Sequence, residues 1–452
     1  MKKQKVLYSL LLTSGLSTAI GGCISLNSCS NSAEPSKDEF KADGTLIGGA
    51  SGEFRFIKLS NNTISIVGVS NDFTAENLNF NNGKIVYENN EYTITSIGDS
   101  AFNNNINIKG KLILPNTITS IGRYAFSGCI NLDDQVTLSE NLTFLGANAF
   151  SDCINIIGTI TIPKDLIEIN ESAFFNCESL KWVKFANDAK LTNIKAHAFQ
   201  DCKSLTDNFD IPSSIKSIGM AAFKNCVLLK SINLYDGLET INDYAFANCI
   251  SLFSSSLHEP LEIPNTVTHI GNYAFSSCSG MNGEITIGNR VKSIGIGAFM
   301  DCKNLTGKLT IPNSVTTIGD NAFATCSKLT SLVLNNGLET IGSYAFIDCS
   351  GIVGNLIIPN SVKSIGDGSF CNMGLTQINL KSKPIFIGSY AFSENASLNY
   401  FDIAEINEVM DYQDEMLSLC DNLTAIYVPN SLLDAYKANT TWSSLASKIV
   451  GK

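Results

Sequence analysis

The dipeptide Ala-Phe recurs about every 24 residues along most of this chain, and that rhythm excludes an ordinary globular fold. Thirteen phenylalanines in phase, from Phe102, Phe126 and Phe150 to Phe392, lie 22 to 29 residues apart, with Ser369 replacing the alanine once. Self-similarity at this period marks a stack of units, none of which can bury its apolar side alone. A solenoid follows, and its length of 452 residues does not translate into a count of globular domains.

One unit shows the physics. In Leu329 to Cys349, the piece Leu332 to Leu334 alternates as a half-buried strand does, and Asn335-Asn336-Gly337 signals a turn. Ile341, Ala345, Phe346 and Cys349 then fall at i, i+4, i+5 and i+8, which predicts about one turn of helix. The residue two after the isoleucine is often one suited to helix capping, as at Asp99, Asp243, Asn272, Asp320 and Asp367. The position four before Ala is isoleucine in every unit but one, where Leu145 stands, and glycine follows it in ten of the thirteen. Stacking such units aligns the strands in a parallel ladder and sends Ile, Ala, Phe and Cys into shared internal columns. Burying one Phe contributes about 1.5–3 kcal/mol, so the column outweighs surface effects.

The Ile-Gly-x-x-Ala-Phe-x-x-Cys cores (Ile121 to Cys129, Ile318 to Cys326) and turns such as Ile311-Pro312-Asn313-Ser314-Val315 resemble the BspA-like, or treponemal-type, leucine-rich repeat family of bacterial surface proteins. The resemblance covers roughly residues 53–445. It implies a leucine-rich-repeat solenoid: a parallel β ladder with short helical turns, a β-rich N-terminal cap and a C-terminal strand-helix cap. Tyr427-Val428-Pro429, Leu433-Asp434-Ala435-Tyr436 and Trp442 resemble the family's closing cap.

The expected layout has five parts. Lys2, Lys3 and Lys5 precede an apolar stretch from Val6 to Ile20, too short to span a bilayer comfortably and suited to a signal core. Ile20-Gly21-Gly22-Cys23 resembles the bacterial lipobox, so residues 1–22 read as a lipoprotein signal peptide and Cys23 as the lipidated residue. An ordinary signal peptide cut near Gly22, or a cut before Cys29, are the other readings. Two acyl chains would hold the protein durably on a membrane. Residues 23–52 read as a flexible tether rich in Ser, Asn, Lys, Asp and Gly. Residues 53–96 form a β-rich cap over an otherwise open ladder edge, 97–398 the solenoid of 13 repeats, and 399–452 the C-terminal cap.

Charge and composition exclude several roles. Removing the three N-terminal lysines takes the net charge from −11 to −14, a surface that repels nucleic acid. Ten of the 14 cysteines lie three residues after the repeat Phe, where a column of small buried thiols fits better than disulfides. Cys371 and Cys420 fall outside that phase. No Cys-x-x-Cys, phosphate-binding glycine loop or catalytic set occurs, so no enzyme, metal or cofactor is expected. His197 and His269 occupy outward repeat slots.

Candidate partner-binding residues are Trp182 with Lys181 and Lys184 on an outward strand position, Tyr244 and Tyr273 among tyrosines preceding Ala, and His258. His258 lies in the longest inter-unit gap, within the insertion Ser251 to Glu259. Edge-of-core packing competes for Trp182, and partnerless surface tyrosines or a neutral loop for the others. The resemblance implies an exported, lipid-anchored cell-surface protein binding a protein on host or neighbouring cells. A structural or antigenic coat without a specific ligand and a carbohydrate-binding surface protein are the rivals.

Overall fold

A coil of 24 residues has to close both its core and its hydrogen bonds against the coils on either side. The computed structural model meets both demands with a parallel β-solenoid of about 14 turns. It describes residues 50–452 apart from 52–53, 60–61, 88, 207, 255–259 and 414. The signal segment, Cys23 and His258 therefore lie outside the described residues.

Two ladders carry the backbone. Each coil contributes a two-residue strand ending on the repeat isoleucine, and ten of these pair in parallel from Glu168–Ile169 to Phe386–Ile387. Isoleucine sits opposite isoleucine, as in Ile169↔Ile194↔Ile218↔Ile241. The second ladder uses the longer strands, among them Ile108–Ile113, Thr159–Ile162, Trp182–Phe185, Gly307–Ile311 and Val353–Ile358. Their inward residues are apolar and their outward residues free to vary.

The Ala-Phe segments close each coil, and here the expected helix is absent. Alternate N–H groups point along the stack: Tyr124, Phe126 and Gly128 donate to the carbonyls of Ala147, Ala149 and Ser151 one coil on. The intervening groups bond locally, Ser127 N to Tyr124 O and Cys129 N to Phe126 O. An α-helix would consume every N–H within itself and leave nothing to hold the next coil. The alternation requires two left-handed residues per turn, such as Tyr124 (φ 55°) and Gly128 (φ 69°). For the same reason Asp99 does not cap its own segment. Its Oδ1 accepts from Arg123 N at 2.7 Å in the following coil, and Asp243, Asp320 and Asp367 repeat the contact. The glycine after Ile121 fits this close approach, because a Cβ on Gly122 would lie 2.5 Å from Asp99 N.

Inside, the thirteen phenylalanines form one unbroken stack, with neighbouring ring centroids 4.9 Å apart at Phe102–Phe126 and 5.6 Å at Phe370–Phe392. Beside it runs the thiol column. Cys129 Sγ donates to Phe102 O, Cys153 Sγ to Phe126 O, and so on to Cys349 Sγ on Phe323 O, at 3.0–3.2 Å. All 12 described cysteines are free and buried. Asn395 takes the thiol's place by donating to Phe370 O. Cys371 joins Ala324 and Ile347 in a small satellite cluster on the outer side of the turns.

Left-handed backbone favours Asn and Asp, and the second left-handed position carries one of them in most turns, with Gly128, Ser277, Thr325 and Glu394 as exceptions. Asn176 Nδ2 donates to Asp152 Oδ1 at 2.9 Å, Asn225 to Asp201 at 2.7 Å and Asn372 to Asp348 at 2.7 Å.

Both ends depart from the repeat. Phe54–Lys58 runs antiparallel to Thr63–Val69, and Ala50–Ser51 antiparallel to Thr74–Asn79, so each ladder begins on a reversed strand. Toward the C-terminus the coil geometry continues past residue 398. Phe392 N donates to Met416 O, Glu394 N to Ser418 O and Cys420 Sγ to Phe392 O. Met416-Leu417 thus stands in for Ala-Phe in a further coil, and Cys420 is its column thiol. Strand Ala425–Val428, helix Leu433–Ala438 and strand Ile449–Gly451 follow. Trp442 is fully buried there, with Nε1 donating to Met410 O at 2.6 Å.

Candidate functional site

The columns fix the inward positions, so recognition falls to the places where the outside breaks the repeat. One break is a matter of counting. From the last inward residue of the long strand to the short-strand isoleucine there are seven residues in coil after coil, as in Ile162 to Ile169, Ile211 to Ile218 and Leu234 to Ile241. Phe185 to Ile194 takes nine. The two additional residues widen the turn around Asp188, which adopts φ 57°.

That turn is held at both ends. Ala186 N donates to Ile162 O and Lys190 N to Lys164 O, while Lys190 pairs with Asp165 at 2.7 Å. Ser214 Oγ, in the following coil, donates to Leu191 O at 2.6 Å. Between the widened turn and the two coils beyond it lies an open groove of about 620 Å³. Val183, Ile211 and Pro212 supply apolar lining, and Lys184, Asp188, Asp210, Ser213, Ser214 and Tyr235 the polar groups. Tyr235 Oη donates to Asp210 Oδ1 at 2.6 Å, and Asn233 Nδ2 donates to the same oxygen at 3.2 Å. The Asp210 hydrogen bond pushes the Tyr235 phenol above its ordinary pKa. Asp210 Oδ2 accepts no hydrogen bond from the described residues.

Trp182 and Lys184 are outward residues of strand Trp182–Phe185, opposite Thr159 and Thr161. Lys184 lines the groove, Trp182 is 37% exposed two residues away, and Lys181 Nζ lies 5.8 Å from the Trp182 ring centroid. The structure therefore brings the basic-aromatic cluster expected from the sequence to the rim of the groove. Asp210, Tyr235 and the widened turn were missed; the 25-residue spacing from Phe174 to Phe199 was their only trace.

Tyr244 and Tyr273 form a separate patch on the Ala-Phe turns. Their rings stack at 5.1 Å, and Lys224 Nζ stands 5.2 Å from the Tyr244 centroid. Tyr244 is exposed as expected, whereas Tyr273 is half-buried and lies so close over Gly297 that a Cβ there would come within 2.4 Å of its ring. His269 is exposed, and half-buried His197 bonds Gln200 Oε1 at 2.6 Å. A smaller groove of about 330 Å³ includes Asp243, His269 and Asn272, but Asp243 Oδ1 is occupied by Asn272 N. Among the described residues no group of three or more His, Cys, Asp or Glu could hold a metal ion.

The model of the BspA type leucine rich repeat region matches residues 95–210, 192–262, 250–354 and 349–445, nearly the whole solenoid. This chain belongs to that family. No curated protein matches this BspA-type chain. A leucine-rich repeat protein from Bacteroides ovatus shares its fold at 23% identity and a TM-score of 0.53, over 90% of this chain and 99% of the other. A leucine rich cell surface protein from Faecalibacterium prausnitzii is 21% identical with a TM-score of 0.46, over 90% and 98% of the two chains. The pneumococcal vaccine antigen PcpA is 18% identical with a TM-score of 0.45, over 90% and 100%.

Proposed function

We propose that this BspA-type protein is anchored by lipid at Cys23 on a bacterial cell surface and binds a protein on host or neighbouring cells. The observation that carries the reading is the division of labour within the long ladder. Inward residues repeat, whereas paired outward residues change from coil to coil: Thr161↔Lys184, Asp210↔Asn233, Glu262↔Thr286, Thr310↔Val333 and Ile357↔Asn379. A regular scaffold with a varied outer row offers a broad face, which suits a macromolecule better than a small molecule. Trp182, Lys181 and Lys184 are its leading contacts; Tyr244 and Tyr273, on the separate patch of the Ala-Phe turns, and His258 are secondary ones. Family membership and the lipobox-like segment support the surface placement.

Fluorescently labelled protein added to host epithelial cells tests the binding. The reading expects saturable binding that trypsin treatment of the cells abolishes and that Trp182→Ala with Lys184→Glu weakens at least tenfold. Non-saturable, trypsin-insensitive attachment would overturn it in favour of a ligand-free coat. Radioactive palmitate fed to the producing cells should label the protein but not Cys23→Ala; equal labelling of both removes the anchor.

A further inference from the structure

The groove beside the widened turn has a chemistry of its own, although it shares Lys184 with the outer face proposed to bind protein. Its polar groups alternate in kind. Asp210 Oδ2 is an unoccupied acceptor, Lys184 is a donor without an ion pair among the described residues, and Ser213 and Ser214 add hydroxyl oxygens. A pure anion entering here would meet both Asp210 and Asp188, and a pure cation would meet Lys184. A vicinal diol satisfies both ends, one hydroxyl donating to the carboxylate while its neighbour accepts from the ammonium. Charge-assisted hydrogen bonds of this sort are the strong ones.

The apolar complement is also in place. Tyr235 is 39% exposed, and its ring is steadied by the Asp210 bond at 2.6 Å, so it presents a fixed face to the C–H side of a pyranose. Trp182 projects from the same side of its strand as Lys184, about 7 Å further along. That distance places a second aromatic surface within reach of a second sugar ring. Pro212 and Ile211 provide a floor that needs no hydrogen bonds. The groove is open and not a cavity, as binding within a longer chain of sugars requires.

We infer that the groove formed by Lys184, Asp210, Ser213, Ser214 and Tyr235 binds a neutral oligosaccharide, with Trp182 extending the site by one sugar unit.

The test uses the full-length purified protein on an array of neutral hexose and N-acetylhexosamine oligosaccharides, followed by titration of the best hits. Tryptophan fluorescence supplies a site-specific readout, because the chain has two tryptophans and Trp442 is fully buried. A bound oligosaccharide should shield Trp182 from acrylamide quenching. Asp210→Asn and Tyr235→Ala should each weaken binding at least tenfold. Tyr124→Ala, an exposed tyrosine on a distant coil, should leave affinity within twofold. Circular dichroism melting of each variant separates lost binding from lost fold, and Tyr235→Phe, which keeps the ring, should retain more affinity than Tyr235→Ala. Silence across the array, binding that leaves quenching unchanged, or full affinity in Asp210→Asn and Tyr235→Ala would each overturn the inference. So would displacement of the sugar's effect by peptides alone. Lys184 and Trp182 are shared with the face proposed to bind protein, so Tyr235→Ala, which leaves both in place, separates the two readings: it should lower sugar affinity and leave trypsin-sensitive cell binding unchanged.

Discussion

The thiol of Cys226 donates to the carbonyl oxygen of Phe199, one full coil earlier, at 3.2 Å. Repeated along the column, this contact links each coil's core residue to its neighbour's backbone and hides the sulfur from solvent. Ellman's reagent at pH 8 should therefore titrate none of the 12 described thiols in the native protein. All 12 should react in guanidinium. Rapid native labelling traced by peptide mapping to any thiol from Cys129 to Cys349 would show that the column is open.

Burial also sets a pH dependence. Desolvation pushes Cys129 and Cys249 from 9.0 up to about 12, and Cys153, Cys177 and Cys226 are raised too. The folded state holds these protons while unfolded thiols release theirs, so the stabilisation is complete below about pH 9 and is lost as pH climbs toward 12. Urea midpoints should be flat from pH 7 to 8.5 and fall steeply above it, and a flat profile to pH 11 would contradict the buried column.

Truncating the stack should be costly. Phe223 is fully buried between Phe199 and Phe246, with centroids at 5.5 and 5.4 Å. Phe223→Ala is expected to destabilise by about 3–5 kcal/mol through lost contact and the cavity left behind. Hydrogen exchange should show the loss centred on residues 199–246 and fading within a few coils, because each coil touches only its neighbours.

The Asp–Asn pairing has its own test. Asn176 stands between Asp152 and Asp201, bonded to the former at 2.9 Å. Asn176→Asp should cost about 1–2 kcal/mol at pH 7, from the lost hydrogen bond and like-charge contact. The deficit should shrink near pH 3 as the carboxylates protonate, whereas a pH-independent deficit would point to packing instead.

Much of this architecture was legible in the chain because columns repeat in sequence before they repeat in space. Ile121, Ala125, Phe126 and Cys129 announce their burial by phase alone. Helical spacing misled at the Ala-Phe segment, since two left-handed residues per turn bury the same positions that a helix would. Nothing in a hydrophobic pattern reveals the sign of φ at Tyr124. The coil around Met416-Leu417 escaped notice because both residues of the signature dipeptide changed, and only Cys420, three residues after Leu417, kept time. The groove was harder still: Asp210 and Tyr235 lie 25 residues apart and become neighbours only through the stacking register.

The Asp–Asn ladder also bears on how such a chain can change length. Excising the one coil that carries Asn176 would set Asp152 directly against Asp201, about 4.8 Å apart. Excising two coils, those of Asn176 and Asp201, sets Asp152 beside Asn225 and restores the amide. Across Asp152, Asn176 and Asp201 electrostatics therefore favours the loss of coils in pairs, whereas the turns carrying Gly128 and Ser277 put no such condition on a deletion.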